Sequence, residues 1–508
     1  MQLVEIPFMG LSLAVLFLGG LGIYLAKGRL GHGCGVVAST VSLIATFLMV
    51  PPFFRVMVER GTAYEGLRWS TILGEFGLRL DGISFPVTLA VVVLGLTSVT
   101  YAVGYTEHAE NRPTFFANHL FFLMGMQWVT LATNLVEFFI AWEIMLVPTY
   151  FLILFWGVPE TRTRTAIKFW LYTQAGAVTI LIGFGMIAYL VSVQTGTLTL
   201  DMQVIQTVVP ALTGSLTTLK VIYVLLAAGF LVKMAVFPLH WWLPPVHAEA
   251  PTPISVLLSG AMIETGAYAM VRFNTIILSS VAIDLSFWVA MLGVLTMFYG
   301  GIMALAQRDI KRLLAYSSVS QMGYVLFAIG VFTVSGVTGG LFHLVSHALS
   351  KGLLFMCAGA VIHQTQLRDI GAMGGLSNKM PVTAFAAAVG AMSIAGSPPL
   401  AGFASEWLMF LGGFHAYEST GNTPFLVLSV VAISSIILSA SYMLRFFTTV
   451  FLGPHPEDLE EVHEAPRSMT LSMTVLAVLT LIFGVFPALA VDVIKPLVEI
   501  ISGILPWR

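Results

Sequence analysis

Eight ionisable side chains stand in stretches that offer them little route to water: Glu143, Lys233, His240, Glu264, His343, His347, Lys351 and Glu406. An ionised group at the centre of a bilayer costs about 2.5–3.5 kcal/mol on insertion scales, so several in one chain require a reason. Glu143 lies within Phe138-Phe139-Ile140-Ala141-Trp142-Glu143-Ile144-Met145-Leu146-Val147-Pro148. Its neighbour Glu137, nearer the end of that run, is expected to snorkel to water, and Lys168 to serve equally well as a loop-proximal anchor. Lys233 stands beside the interruption Lys233-Met234-Ala235-Val236-Phe237-Pro238. A buried lysine releases its proton more readily when alone and holds it when a carboxylate approaches. Movement of Glu143 toward or away from Lys233 would therefore load or release a proton; the bland alternative is a structural ion pair between two helices.

His343, His347 and Lys351 recur at i, i+4 and i+8, which places them on one helical face. Imidazole both accepts and donates a proton near neutral pH, which suits a relay. The same spacing suits a metal, but no carboxylate or third ligand lies nearby in the sequence. Interhelical hydrogen bonding is the plainer reading.

The elements that position these residues follow from composition. The 508 residues are 57% hydrophobic and 9% charged, against roughly 25% charged in a soluble domain, so most of the outer surface must face lipid. A net charge of -2 gives no basic face for nucleic acid. The two cysteines, Cys34 and Cys357, have no CxxC or His/Cys ligand spacing, so no disulfide framework, zinc site or iron–sulfur cluster is expected in this chain. The first apolar run lacks the basic start and cleavage site of a signal peptide and reads as a span that stays.

A crossing helix needs about 20 apolar residues. On that basis the fold class is all-α, a polytopic membrane protein with about fourteen spans, near 7–26, 35–54, 83–105, 114–133, 134–156, 165–193, 219–242, 254–277, 283–306, 313–334, 338–363, 382–414, 422–450 and 468–494. The fourth and fifth are separated only by Thr133-Asn134. Lys and Arg cluster in loops on one face (Lys27, Arg29, Arg112, Arg162, Arg164, Arg308, Lys311, Arg312, Arg368, Lys379), which places both termini outside and makes segment 55–82 an external cap. Spans seven and twelve are broken, the first at Phe237-Pro238 and the Pro-rich run to Pro253, the second at Gly396-Ser397-Pro398-Pro399. Such breaks survive at membrane depth only where protein or a water-filled cavity satisfies the freed backbone. Paired breaks point to inverted repeats. The expected organisation is an N-terminal region 1–113, two inverted five-helix repeats at 114–277 and 278–450, and a C-terminal helix and tail at 451–508.

Several segments resemble the antiporter-like subunits of respiratory complex I and the related Mrp antiporters and membrane-bound hydrogenases. They are Trp142-Glu143-Ile144-Met145-Leu146-Val147-Pro148, Lys233-Met234-Ala235-Val236-Phe237-Pro238-Leu239-His240 with Trp242-Leu243-Pro244, and Ala250-Pro251-Thr252-Pro253-Ile254-Ser255. Asp309-Ile310-Lys311-Arg312-Leu313-Leu314-Ala315-Tyr316-Ser317-Ser318 with Gln321-Met322-Gly323, the His343/His347/Lys351 helix, and Pro398-Pro399-Leu400-Ala401-Gly402-Phe403 complete the match. The resemblance implies that Lys233 is the pump lysine and Glu143 the carboxylate that modulates it. It implies a central hydrophilic axis through His240, His343, His347 and Lys351 that ends at Glu406. Glu at that last position is similar to the M-type (fourth mitochondrial) subunit, while Glu464-Ala465-Pro466 is more similar to archaeal, hydrogenase and Mrp relatives. Relatives usually place Lys where this chain has Glu264; here Glu264 is expected to relay between Lys233 and the His343 helix. By resemblance the chain is a proton-translocating subunit of a complex I-like NADH, F420H2 or ferredoxin:quinone oxidoreductase, part of a translocase enzyme with no redox site of its own. Iron–sulfur clusters, flavin or quinone would belong to partner subunits, among them further antiporter-like subunits, in a prokaryotic inner membrane or an equivalent energy-transducing membrane. The alternatives are a subunit of an Mrp-type Na⁺/H⁺ antiporter or of a membrane-bound hydrogenase, and a scaffold whose buried charges only hold helices together.

Overall fold

Apolar runs bounded by Gly, Pro and polar residues become helices, because inside lipid the backbone must satisfy its own hydrogen bonds. The computed structural model describes residues 6–70, 74–454, 456 and 459–499. The chain opens with α1 (Phe8–Leu25), α2 (Cys34–Met57) and, after a hairpin, α3 (Phe85–Tyr105). Next come α4 (Arg112–Leu131), α5 (Leu135–Trp156), α6 (Arg162–Thr195), α7 (Leu216–Met234), the short α8 (Leu243–Glu249) and α9 (Thr252–Ile277). The rest are α10 (Ser279–Ala306), α11 (Ile310–Gly330), α12 (Val334–Thr365), α13 (Pro381–Ile394), α14 (Ala401–Thr420), α15 (Thr423–Phe451), α16 (Arg467–Val485) and α17 (Ala488–Val498).

Among the described residues, twelve helices are long and apolar enough to cross a membrane. The two further spans expected from the sequence correspond to α4 and to the pair α13–α14. Arg112, Asn118, His119 and Gln127 dilute the hydropathy of the first, and the second is one expected span cut in two. The chain ends, expected outside, fall on residues 1–5 and 500–508, which lie outside the described residues.

Both expected breaks are present. Helix α7 stops one residue after Lys233, where Ala235 adopts a left-handed backbone (φ 56°), and the chain passes through the cis Phe237-Pro238 bond before α8. Helix α13 stops short of Gly396 (φ 68°) and the cis Pro398-Pro399 bond, and α14 resumes at Ala401. Helix α9 contains two wide π turns, Leu258–Met262 and Met270–Ile277, which flank Ile263–Ala269. Such turns recur at functional positions within helices. Helices α9, α11 and α12 are enclosed by the others along nearly their whole length. Helices α10 and α11 meet backbone to backbone: a Cβ on Gly293, Gly300, Gly323 or Gly330 would collide with main-chain atoms of the facing helix. Small residues at such seams are the usual means of close helix packing in membranes.

Segment 55–82 is more ordered than a cap read from charge alone. It forms an antiparallel hairpin of β1 (Ala63–Ser70) and β2 (Gly74–Leu80), paired from Ala63↔Leu80. Glu65 on β1 accepts from the first amides of α1, Met9 N at 2.7 Å and Gly10 N at 2.9 Å. Gly77 on β2 accepts from Thr133 N (3.1 Å) and donates to Glu137 Oε2 (3.2 Å). Glu137 therefore does not snorkel as expected: it is fully buried and also accepts from Trp128 Nε1 at 2.8 Å. The hairpin supplies a partner inside the protein, so the carboxylate has no need of water. Asn134 caps α5 by accepting from Val136 N at 2.9 Å, which explains how so short a link divides α4 from α5.

Lys311 also departs from its reading as a loop cation. It is buried and donates to the Ala250 carbonyl at 2.7 Å, while Arg368 pairs with Asp309 (2.8 Å) and donates to the Ala248 carbonyl (2.8 Å). Together these two residues hold the α8–α9 turn.

Asp81 pins the hairpin to α9 through Arg272 Nη2 at 2.7 Å and accepts from Ile83 N and Ser84 N at the start of α3. Burial pushes the Asp81 carboxyl up, but the Arg272 guanidinium outweighs it and leaves the pKa at about 2. A carboxylate held below its ordinary value of about 3.9 contributes stability that is complete above that pH and is lost as pH falls through the depressed value. Asp81→Asn leaves a buried guanidinium unpaired and should cost about 3–5 kcal/mol. The unfolding temperature of the purified protein in detergent measures this. The deficit should persist at pH 5 and close as the wild type approaches pH 2, and a variant as stable as wild type at pH 7 would refute the pin.

Candidate functional site

The enclosed helices carry the expected ionisable residues, and the breaks place more of them alongside. On α9, between the two wide turns, Glu264 is fully buried, and its Oε1 lies 2.9 Å from His347 Nδ1 on α12. Its Oε2 has no hydrogen-bond partner. Either group can hold the proton of this bond, as acid and neutral imidazole or as carboxylate and imidazolium, so one short transfer converts the two forms. Gly266, half a turn further along α9, sits against Phe230 O and Met234 N. This close approach brings the Glu264 turn to the end of α7, where Lys233 lies.

One turn before His347, the ring of His343 stands with its centroid 6.1 Å from that of His347. His343 Nδ1 is 2.9 Å from Ser405 Oγ on α14, and its Nε2 is 2.8 Å from Gln321 Oε1 on α11. Glu406, next to Ser405, is buried with no hydrogen-bond partner for Oε1, and its carboxylate fills the space that a Cβ at Gly396 would need. Gly396 is thus required twice, by its positive φ and by this carboxylate. On the other side of His347, Lys351 is fully buried and donates to Ser317 Oγ on α11. Glu264, His347, His343, Ser405 and Glu406 therefore form one line from the fully enclosed α9 to the second break.

A separate group lies at the first break. Lys233 is buried, its Nζ has no hydrogen-bond partner, and it stands 4.9 Å from the centroid of the Trp142 ring. Glu143 does not pair with it. The carboxylate lies on the half-buried flank of the bundle and accepts from Gln174 Nε2 on α6 at 2.6 Å. Glu143 and Lys233 form no ion pair in this arrangement: Trp142 presents its face to the ammonium, while Glu143, one residue on, reaches α6. His240 is buried in the break, but its Nε2 meets Tyr299 OH on α10 at 3.1 Å and makes no hydrogen bond to the α9–α12 line.

Some residues of this arrangement were not singled out from the sequence, although Ser317 and Gln321 fall within segments that carry the resemblance. Gln321, Ser405, Ser317 and Gln174 are uncharged and lie on different helices from the groups they touch. His247 on α8 is a stronger omission: it is fully buried, both ring nitrogens lack hydrogen-bond partners, and it stacks on Phe355 at 4.7 Å. Its place in a Pro-rich segment beside the break could have marked it. Among the described residues no group of three or more His, Cys, Asp or Glu is placed to hold a metal ion.

Known proteins share this architecture. Residues 132–446 match the family model described as NADH:quinone oxidoreductase/Mrp antiporter, transmembrane. The chain is 33% identical over 470 residues to NAD(P)H-quinone oxidoreductase chain 4 3 of Trichormus variabilis, covering 90% of this chain and 84% of the relative. It is 32% identical to F(420)H(2) dehydrogenase subunit M of Methanosarcina mazei, with 84% of each covered. It is also 32% identical to Na(+)/H(+) antiporter subunit A1 of Staphylococcus haemolyticus, of which it covers 56%. Among solved structures, a chain of the archaeal membrane-bound sulfane sulfur reductase superposes with a TM-score of 0.84 at 30% identity, over 95% of this chain and 76% of that one. A chain of respiratory complex I from Thermus thermophilus has the same fold, with a TM-score of 0.83 at 24% identity over 97% and 99% of the two chains. A buried polar line from α9 to the second break and a family match across both breaks lead to one assignment: the chain is a member of the NADH:quinone oxidoreductase/Mrp antiporter family of transmembrane proteins.

Proposed function

We propose that the chain is a proton-translocating membrane subunit of a complex I-like oxidoreductase using NADH, F420H2 or ferredoxin with a quinone, and that its driving electron transfer takes place in partner subunits. The observation that carries this reading is the buried line Glu264–His347–His343–Ser405–Glu406, whose hydrogen bonds of 2.9 Å at Glu264 and at Ser405 join groups that exchange protons. Lys233, with an aromatic face and no fixed counter-ion, loads the line, and Glu264 Oε2, free of partners, receives its proton. Lys351 and His240 tune the charge along this axis, and Glu143 acts on Lys233 when it leaves Gln174. The line lies within two inverted five-helix repeats, 114–277 and 278–450, with both termini outside an energy-transducing membrane. Iron–sulfur clusters, flavin and quinone belong to the partners. Coverage favours this reading over an Mrp-type assembly: the chain spans 84% of the quinone oxidoreductase relative but 56% of the antiporter subunit.

Affinity purification with mass spectrometry should recover iron–sulfur and quinone-module subunits; recovery of small antiporter subunits alone would reverse the choice. In vesicles containing the assembled complex, Lys233→Ala should slow donor-driven proton uptake about 100-fold, the low end of what a positioned acid–base group contributes. Normal uptake would leave only the scaffold role. Glu264→Lys removes the carboxyl that holds His347 and sets an ammonium against an imidazole nitrogen. The number of protons moved per electron should change, and an unchanged ratio would exclude Glu264 as a relay.

A further inference from the structure

The imidazole of His343 is held from two sides by groups of unequal character. Gln321 Oε1 has no proton to give, so at 2.8 Å it can only accept from His343 Nε2. The orientation of that carboxamide is set in turn by α15. Gln321 Nε2 faces Ser439 Oγ at 3.4 Å, and the same oxygen accepts from Tyr442 OH at 3.1 Å. Ser439 Oγ also lies 3.1 Å from Tyr324 OH, which in turn lies 2.8 Å from Ser435 Oγ, a hydroxyl that reaches the Ala432 carbonyl at 2.6 Å. Gln321, Tyr324, Ser435, Ser439 and Tyr442 are all buried. With the amide nitrogen committed to this hydroxyl cluster, the amide oxygen is the end left for His343.

We infer that Gln321 is a positioning residue that holds His343 as its Nε2–H tautomer and keeps Nδ1 open toward Ser405 and the second broken helix. This rests on the proton-path reading above and assigns the nitrogen at which one of its steps takes place. Ser405 is built for the exchange: besides Nδ1, its hydroxyl lies 3.0 Å from Ala401 O and 2.9 Å from Gly402 O. While His343 is neutral, the Ser405 proton points to Nδ1. When a proton arrives on Nδ1, the imidazolium donates to Ser405 Oγ, whose own proton turns to one of those carbonyls. No proton leaves by Nε2, because a neutral amide oxygen does not carry one away. His343 thus exchanges its proton at Nδ1, on the face held by Ser405 of the second broken helix, and the hydroxyl cluster on α15 serves as scaffold.

The test is nitrogen-15 NMR of the full chain, labelled at histidine and held in lipid bilayers, with the His343 signals identified by their loss in His343→Gln. The wild type should show the neutral Nε2–H tautomer. Gln321→Met, similar in volume and without a strong acceptor, should lose it in favour of a mixture or of the Nδ1–H form, and Gln321→Leu supplies a second variant if the first fails to assemble. Donor-driven proton uptake by the assembled complex should fall about 100-fold, as for other misplaced acid–base groups. An Nε2–H signal unchanged in the variants overturns the inference. A changed tautomer with wild-type uptake would uphold the tautomer lock and instead remove His343 from the proton path, so the two failures are distinguishable.

Discussion

A charge enclosed by helices in a low-dielectric medium must find a partner or give up its charge, and every polar contact inside this bundle answers that constraint. Two kinds of answer coexist. Asp81 and Arg272 form a fixed pair of opposite charges, which joins the hairpin to α9 and leaves nothing to exchange. Along α9, α12 and α14 the partners are of another type: an imidazole for Glu264, a hydroxyl for Lys351, an aromatic face for Lys233. None of these is a fixed pair of opposite charges like Asp81 and Arg272. The bundle thus holds a permanent ion pair beside buried ionisable groups whose partners are neutral or can share a proton.

Positioning these groups requires departures from regular helix. Lys233 and Glu406 lie beside breaks, where the backbone has turned aside and side chains reach positions a continuous helix would fill with its own turns. Glu264 lies between two wide turns, whose extra residue shifts the facing of everything beyond them. The left-handed Ala235 and Gly396 mark the corners at the two breaks. Backbone irregularity and buried charge therefore coincide at three places on three different helices.

Much of this was legible in the sequence, because burial in lipid leaves a direct compositional mark. Apolar runs of about 20 residues, proline-interrupted spans, and a carboxylate or ammonium inside a run are all local signals. The i, i+4, i+8 spacing of His343, His347 and Lys351 placed them on one face, and that face does look into the protein. What the residues touch was not legible. Glu143 and Lys233 were natural partners by charge, yet the rotation of α5 sets Trp142 between that helix and the ammonium and directs Glu143 to Gln174. Glu137 looked like a residue bound for water until a hairpin from 60 residues earlier supplied a donor and Trp128 a second. Gln321 stands in a segment that carries the resemblance, but being uncharged it was not marked as part of the site. Pairings between distant segments depend on helix rotation and crossing, which periodicity within one helix does not encode.

The glycine seam between α10 and α11 has a consequence of a different kind. A conduit for protons needs insulation as much as it needs conductors. Where two main chains touch at Gly293, Gly300, Gly323 and Gly330, no side chains stand between them to part and admit a file of water. Helix α11 carries Ser317 and Gln321, which touch the buried groups, and α10 forms its outer wall. The seam therefore closes that flank main chain against main chain, with the Ser320 hydroxyl spent on the Met297 carbonyl across it.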